Sequence, residues 1–169
     1  MTQSLEGLKV AILVAEGFEQ VELTEPKKAL ESAGAQTRIV SRVKAHVQGW
    51  NHFEKGDRFT VDVPLGEADS RDFDALLLPG GVANPDQLRI IPEAIDFIRE
   101  FFAADKPVAS ICHGPWPLIE AGVVRGRTMT SWPSLKTDLI NAGAKWVDQD
   151  VVTDNGLVTS RKPDDIPAF

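Results

Sequence analysis

Cysteine is nearly absent from this sequence, and the single one, Cys112, excludes an intramolecular disulfide. Histidine is also scarce: three His residues and one Cys cannot build a conventional structural zinc site. No apolar run is long enough to cross a membrane, and the polar segment 1–7 lacks the basic and apolar regions of a signal peptide. These absences predict a cytoplasmic protein with no metal ion and no other cofactor.

An excess of positive charge is missing as well. The formal net charge is −7 and no basic cluster interrupts it, which argues against a surface that binds nucleic acid. A chain of 169 residues is long enough to bury a sizeable core within one domain. We therefore expect a single domain over 1–169 that contacts neither nucleic acid nor membrane.

Short apolar runs alternate with helix-like segments along the chain. The runs typical of buried parallel strands lie at 8–14, 36–41, 73–78 and 108–111. The helix-like segments lie at 20–33, 92–104, 116–121 and 134–142, the last with Ser134 as its expected N-cap. This alternation predicts an α/β sandwich with a mainly parallel central sheet. Pro26 should kink the first helix or mark its start, and 43–60 is expected to form a hairpin or an excursion at the sheet's edge.

The stretch around Cys112 combines a strand, a tight turn and a helix. The apolar run 108–111 leads into Cys112, His113, Gly114 and Pro115. Gly114 permits a tight turn, and Pro115 suits the first turn of a helix. Cys112 is then expected at a nucleophile elbow, where the amino end of the helix stabilises a thiolate. The competing interpretation is a buried core cysteine without reactivity.

Two further stretches follow strands at the same predicted edge of the sheet. Glu19 ends the loop 15–19 that follows the first strand, at the edge where ligand sites form in open α/β sheets. Gly80 and Gly81 follow the strand at 73–78, and glycines there let backbone N–H groups turn toward a ligand. Glu19 is alternatively a solvated acid in the first turn of a helix.

Taken together, these stretches resemble the PfpI family. The similarity is carried by AEGFEQVE at 15–22, LPGG at 78–81 and ASICHGP at 109–115, and it extends over 8–169. The resemblance implies a flavodoxin-like, three-layer sandwich in the superfamily of class I glutamine amidotransferase-like folds. It implies an intracellular cysteine-peptidase-like protein that assembles into dimers, and in some members into hexamers. Because members continue into a last helix, we expect that C-terminal helix to be absent here.

The resemblance also implies roles for individual residues. Cys112 is the expected nucleophile, and Glu19 is expected to hydrogen-bond its sulfur through a partly protonated carboxyl. The backbone N–H groups of Gly81 and His113 are the expected oxyanion hole, and His113 is the expected general base. Asp86 corresponds to an acid that a neighbouring subunit supplies, although the family more often has Glu there.

Three functions fit these residues. A cysteine nucleophile serves peptide hydrolysis, as in a protease, and it equally serves reactive carbonyls. The carbonyl reactions are the conversion of methylglyoxal to lactate by a glyoxalase and the removal of early glycation adducts by a deglycase. The third function is non-enzymatic, an oxidation-sensing thiol or a holdase chaperone. Glutamine amidotransfer is disfavoured because no histidine follows His113. The prediction is a stress-response cysteine hydrolase of the PfpI type that acts on peptide or reactive-carbonyl substrates.

Overall fold

The computed structural model describes residues 4–169, so part of the polar N-terminal segment, residues 1–3, lies outside the described residues. The strands are β1 (Lys9–Leu13), β2 (Phe18–Glu19), β3 (Gln36–Ser41), β4 (His46–Asn51), β5 (Glu54–Thr60), β6 (Val63–Pro64), β7 (Ala75–Leu78), β8 (Val108–Ile111), β9 (Thr128–Met129), β10 (Lys145–Trp146), β11 (Val151–Asp154) and β12 (Leu157–Ser160). The α-helices are α1 (Gln20–Ser32), α2 (Ala83–Leu88), α3 (Pro92–Ala103), α4 (Trp116–Ala121) and α5 (Lys136–Asn141).

A seven-stranded sheet forms the middle layer, in the order β11-β12-β8-β7-β1-β3-β6. Neighbouring strands in it pair in parallel, except for the antiparallel pair β11 and β12. The central strands β1 and β7 are almost wholly apolar because both of their faces are covered. The prediction of a mainly parallel central sheet is therefore confirmed.

Side chains on the two faces of β1 belong to two separate hydrophobic clusters. Ala11 and Leu13 pack in one cluster with Phe101 of α3 and residues of α4 and α5. Val10 and Ile12 pack in the other, which α1 closes with its apolar side chains. Helices thus cover both faces of the sheet, which is the expected three-layer sandwich.

Helix α1 begins at Gln20 and runs through Pro26, so this proline lies inside the helix and does not mark its start. Pro26 lacks the N–H that would bond the carbonyl of Glu22 in a regular helix. Among residues 4–169, no helix combines the length and the apolar character that a membrane crossing requires.

The segment expected to form a hairpin does so as β4 and β5. It does not extend the main sheet: β4 pairs in parallel with the short strand β2, and the three strands form a small sheet of their own. In this pairing Glu19 lies opposite Trp50. The hairpin is therefore fixed beside the loop that follows β1.

Candidate active site

Three loops meet where the central strands end. Because β1, β7 and β8 are parallel neighbours, their carboxyl ends lie at one edge of the sheet, and the loops after them converge there. They border a cavity of about 570 Å³, the Cys112 pocket. Cys112, His113, Gly81, Glu19 and Glu22 all line it.

Cys112 has the geometry of the predicted nucleophile elbow. It follows β8 with a positive φ of 61°, a conformation that a non-glycine residue adopts only under strain. Its N–H donates to the carbonyl of Ser160 at 3.0 Å, and its own carbonyl accepts from the N–H of Trp132 at 2.9 Å. The residue is 7% exposed, and it borders the pocket. Cys112 is thus buried without being sealed from a ligand.

His113 turns back toward the cysteine that precedes it. Its Nδ1 lies 3.2 Å from the Cys112 sulfur, and its Nε2 lies 3.4 Å from the hydroxyl of Ser134. The imidazole stacks on Trp132, with ring centres 5.9 Å apart, and meets Trp116 edge-on. Burial lowers the pKa of His113, which favours the neutral ring. A neutral ring held this way can accept the thiol proton.

Two backbone donors converge on the sulfur. The N–H groups of Gly81 and His113 face the Cys112 side chain, and both act to lower the pKa of its thiol. Gly81 has a φ of 75°, and a Cβ there would come within 2.7 Å of the Glu19 nitrogen. The residue must therefore be glycine for this loop to approach so closely. These are the two donors expected for the oxyanion hole.

The carboxyl beside the thiol belongs to Glu22 and not to Glu19, which corrects the expectation from the sequence. Glu22 is fully buried and interacts with Cys112 through its side chain. Its Oε2 accepts from the N–H of Gly80 at 2.7 Å, while Oε1 has no hydrogen-bond partner within residues 4–169. Burial raises the pKa of Glu22 to about 8, with a smaller contribution from the charge of Glu19. Glu22 is therefore largely protonated at neutral pH.

Burial opposes the resting thiolate that the elbow motif predicts. Burial raises the pKa of the Cys112 thiol above its ordinary value, and the carboxylate of Glu22 would raise it further. The N–H groups of His113 and Gly81 offset only part of this effect. Helix α4 begins at Trp116, beyond the turn, and has six residues, so it offers the sulfur little additional field. Burial therefore favours the thiol over the thiolate, so a base beside the sulfur would assist its attack on a substrate.

Comparison with known proteins agrees with this geometry. The model of the DJ-1/PfpI family matches residues 8–169. The chain belongs to the DJ-1/PfpI family. It is 44% identical over 162 residues to the deglycase PH1704 of Pyrococcus horikoshii, an alignment that covers 96% of this chain and 95% of that protein.

Solved structures of this family confirm the flavodoxin-like fold. Drosophila melanogaster DJ-1beta superposes with a TM-score of 0.87 at 27% identity, over 96% of this chain and 86% of that one. A two-domain protein of Anabaena variabilis, with DJ-1/ThiJ/PfpI-like and ferritin-like domains, gives a TM-score of 0.87 at 34% identity. The match covers 94% of this chain but 45% of that protein, so the chain spans about half its length.

Glu19 also lines the Cys112 pocket of this DJ-1/PfpI protein, but its carboxylate does not contact the Cys112 sulfur. Its side chain is 12% exposed, and both carboxylate oxygens accept from the backbone N–H of His52, at 3.1 and 3.3 Å. The difference from Glu22 arises because Glu19 ends β2, whereas Glu22 lies within the first turn of α1. The sequence does contain a signal that Glu22 is buried. Glu22 has helical spacing with the apolar residues Pro26, Ala29 and Ala33, so an acid falls within the apolar stripe of the first helix.

Asp86 lies on α2, exposed, and does not line the pocket of its own chain. Its expected role concerns the pocket of a neighbouring subunit and stays a prediction. Within residues 4–169, no group of three or more His, Cys, Asp or Glu side chains is arranged to hold a metal ion.

The sequence did not predict that Asn84 and Ser134 contribute to the site. Asn84 is buried and joins two of the loops: its Oδ1 accepts from the N–H of Ala15 at 2.6 Å, and its Nδ2 donates to the carbonyls of Pro79 and Gly80, each at 3.0 Å. Ser134 was expected to cap a helix, but it lies in a 3-10 turn before α5. Its hydroxyl faces the His113 ring instead.

Proposed function

We propose that this DJ-1/PfpI protein is a cysteine hydrolase that removes reactive-carbonyl adducts from proteins, with free methylglyoxal as a related small substrate. Cys112 is the nucleophile and His113 the base. The observation that carries the proposal is the meeting of the Cys112 thiol, His113 Nδ1 at 3.2 Å and two backbone N–H groups in one pocket. The name of the Pyrococcus relative, a deglycase 44% identical to this chain, supports the same reaction class.

The first step exchanges an amine for the sulfur. In an early methylglyoxal adduct, the amine nitrogen is attached to a carbinol carbon beside a ketone. The Cys112 sulfur bonds to that carbon, the C–N bond breaks, and the thiol proton passes through His113 Nδ1 to the departing amine. Free methylglyoxal reaches the same hemithioacetal when the thiol adds to its aldehyde.

The later steps need no outside oxidant. A proton moves from the carbinol carbon to the neighbouring carbonyl carbon, and the carbinol hydroxyl proton moves to the ketone oxygen. One carbon is thereby oxidised as the other is reduced, and a lactoyl thioester results. Glu22 is suited to exchange this proton because its pKa is raised to about 8. Water then attacks the thioester while the N–H groups of Gly81 and His113 stabilise the oxyanion, and lactate and the free thiol are released.

Peptide hydrolysis is the second candidate. It makes a heavier demand on the site, because a peptide nitrogen must be protonated before it can leave. Asp86 is the acid that the family resemblance implies for a peptidase, and it is exposed and outside the pocket of its own chain. A peptidase role therefore depends on the neighbouring subunit.

A homo-oligomer is part of the proposal, as is action in the cytoplasm under stress. Val82, Asp86 and Ile90 follow one another at helical spacing along α2 and the turn after it. Val82 and Ile90 are apolar and exposed, so the acid lies between two side chains suited to a contact with a second copy.

The test compares wild type with Cys112→Ala on methylglyoxal, on a glycated peptide and on casein. We expect lactate and free amine from wild type, and a loss of at least about a hundredfold in kcat/KM in the variant. Turnover of the carbonyl substrates that survives Cys112→Ala would refute the proposal. Cysteine-dependent cleavage of casein alone would favour a peptidase. A peroxide-dependent mass gain at Cys112 without turnover of any substrate would favour an oxidation-sensing thiol.

A further inference from the structure

Glu19 brings to the Cys112 pocket a carboxylate that the proposed reaction does not use. Its side chain is 12% exposed, and the backbone N–H of His52 at the tip of the β4–β5 hairpin holds both of its oxygens. The charge reaches the reacting groups, because it contributes to the raised pKa of Glu22. Glu19 thus places a carboxylate in the wall of the Cys112 pocket, without touching the sulfur.

The other groups of the pocket leave this charge without a cation of their own. No Lys or Arg is among the residues that line the pocket in the described part of the chain. Glu22 is largely protonated at neutral pH, and burial favours the neutral ring of His113. His52 is the remaining titratable side chain there, and its Nδ1 is 3.8 Å from a Glu19 oxygen, with the side chain 78% exposed. The carboxylate of Glu19 therefore makes the Cys112 pocket negatively charged for an incoming ligand.

Aromatic side chains complete the lining around this carboxylate. Trp50 and Phe53 come from the hairpin, and Trp132 comes from the loop after β9. Phe53 is 95% exposed, so its ring is available to a ligand. Aromatic faces attract ammonium and guanidinium groups, and an adjacent carboxylate strengthens that attraction.

We propose that Glu19 and these aromatic side chains form a subsite for a positively charged group next to the reacting carbon. This inference rests on the proposed function and names its substrate class: carbonyl adducts that carry an ammonium or guanidinium group beside the adduct carbon. Neutral adducts react more slowly, and adducts flanked by carboxylate or phosphate react slowest.

The first test measures the charge that Cys112 experiences and does not depend on catalysis. Methanethiosulfonates transfer their thioalkyl group to the thiol, forming a disulfide and releasing methanesulfinic acid, and the chain has one cysteine. The rates for a trimethylammonium-ethyl reagent and a sulfonatoethyl reagent are followed by intact mass. We expect their ratio to fall about tenfold in Glu19→Gln, since a unit charge in a partly buried pocket has an effect of this order. Glu19→Lys should lower the ratio further.

The matched control is Glu67→Gln, which removes one negative charge from an exposed position outside the pocket. Its ratio should stay within about twofold of wild type, because solvent screens a distant surface charge. An unchanged ratio in Glu19→Gln, with Cys112 still labelled and the melting temperature preserved, would overturn the subsite.

The second test asks whether the same charge selects substrates. Hemithioacetals of methylglyoxal with thiocholine, 2-mercaptoethanol and 3-mercaptopropionate present one reacting carbon beside a positive, a neutral and a negative group. We expect kcat/KM to fall in that order in wild type and to level out in Glu19→Gln. If none of the three is turned over, the proposed function fails while the labelling experiment still decides the subsite. Equal turnover of all three by wild type would refute the selectivity.

Discussion

Glu19 and Glu22 are three positions apart in the sequence, yet the fold gives them opposite environments. Glu22 is fully buried behind the thiol, and burial raises its pKa to about 8. Glu19 ends β2, where the pocket wall and a backbone N–H of the hairpin keep its carboxylate in place. The comparison shows that one short segment places one carboxyl in the core and the other in the pocket wall, because it changes from strand to helix between them.

The largest expected difference between the two acids is in turnover. We expect Glu22→Gln to lower kcat about a hundredfold, since a proton-exchanging carboxyl is lost while the amide can still accept from Gly80. Glu19→Gln should lower kcat for a neutral substrate only a few-fold, because that side chain does not touch the sulfur. Steady-state assays of lactate formation from methylglyoxal measure both. An equal decrease of kcat in the two variants would show that Glu19 and Glu22 do not differ in their effect on turnover.

The pH dependence of stability should separate the two acids next. Because folding raises the pKa of Glu22 from 4.5 to about 8, the folded state holds the proton more tightly between these values. The stabilising effect of that proton is present at low pH and is lost as the pH rises toward 8. Over this window the free energy of unfolding should fall by at most about 1.4 kcal/mol per pH unit from this group.

Urea denaturation at pH 5, 6, 7 and 8 checks this expectation. Glu22→Gln should gain on wild type as the pH rises, because the amide never has to carry a buried charge. Glu19→Gln serves as the control and should keep most of the wild-type pH dependence, because burial is the main cause of the raised pKa of Glu22 and the charge of Glu19 a smaller one. Parallel curves for all three proteins would mean that Glu22 ionises without penalty.

The thiol should show a smaller effect of the same kind. Removing the carboxylate that Glu22 forms above neutral pH also removes its contribution to the raised pKa of Cys112. The pH profile of iodoacetamide alkylation should therefore move to lower pH in Glu22→Gln, and only slightly in Glu19→Gln. A profile that moves more in Glu19→Gln would reverse the assignment of the two carboxyls.

The smallest effect is expected at Ser134, on the other side of His113. When Nδ1 faces the thiol proton, Nε2 carries its own hydrogen and donates it to the Ser134 hydroxyl at 3.4 Å. Ser134→Ala should lower kcat about threefold to tenfold, as the loss of one modest hydrogen bond implies, and Ser134→Thr should restore most of it. Nitrogen chemical shifts of the His113 ring should show a mixture of tautomers in Ser134→Ala alone.

Much of this site could be predicted from the sequence because short local motifs determine its backbone conformation. The apolar run before Cys112, the glycines after β7 and the alternation of strands and helices place the elbow, Gly81 and His113 where the structure has them. The identity of the acid could not be predicted in the same way. Glu19 and Glu22 both follow β1, and choosing between them requires knowing that β2 pairs with β4 before α1 begins at Gln20.

Other features depended on tertiary contacts that leave no local pattern. Ser134 has the composition of an N-cap, yet the 3-10 turn from Pro133 to Leu135 places its hydroxyl against an imidazole from another loop. The raised pKa of the Cys112 thiol likewise follows from how completely the loops enclose it. Burial of this kind is a property of the assembled fold and not of the elbow motif.

The β4–β5 hairpin has a consequence for how this protein diversifies. Strand β4 of this hairpin pairs with both residues of β2, and His52 and Phe53 at the hairpin tip line the Cys112 pocket. Exchanging the tip residues would retune which molecules enter without disturbing the seven-stranded sheet that holds the thiol. The residues proposed to react and the hairpin residues at the pocket therefore lie on separate segments of the chain.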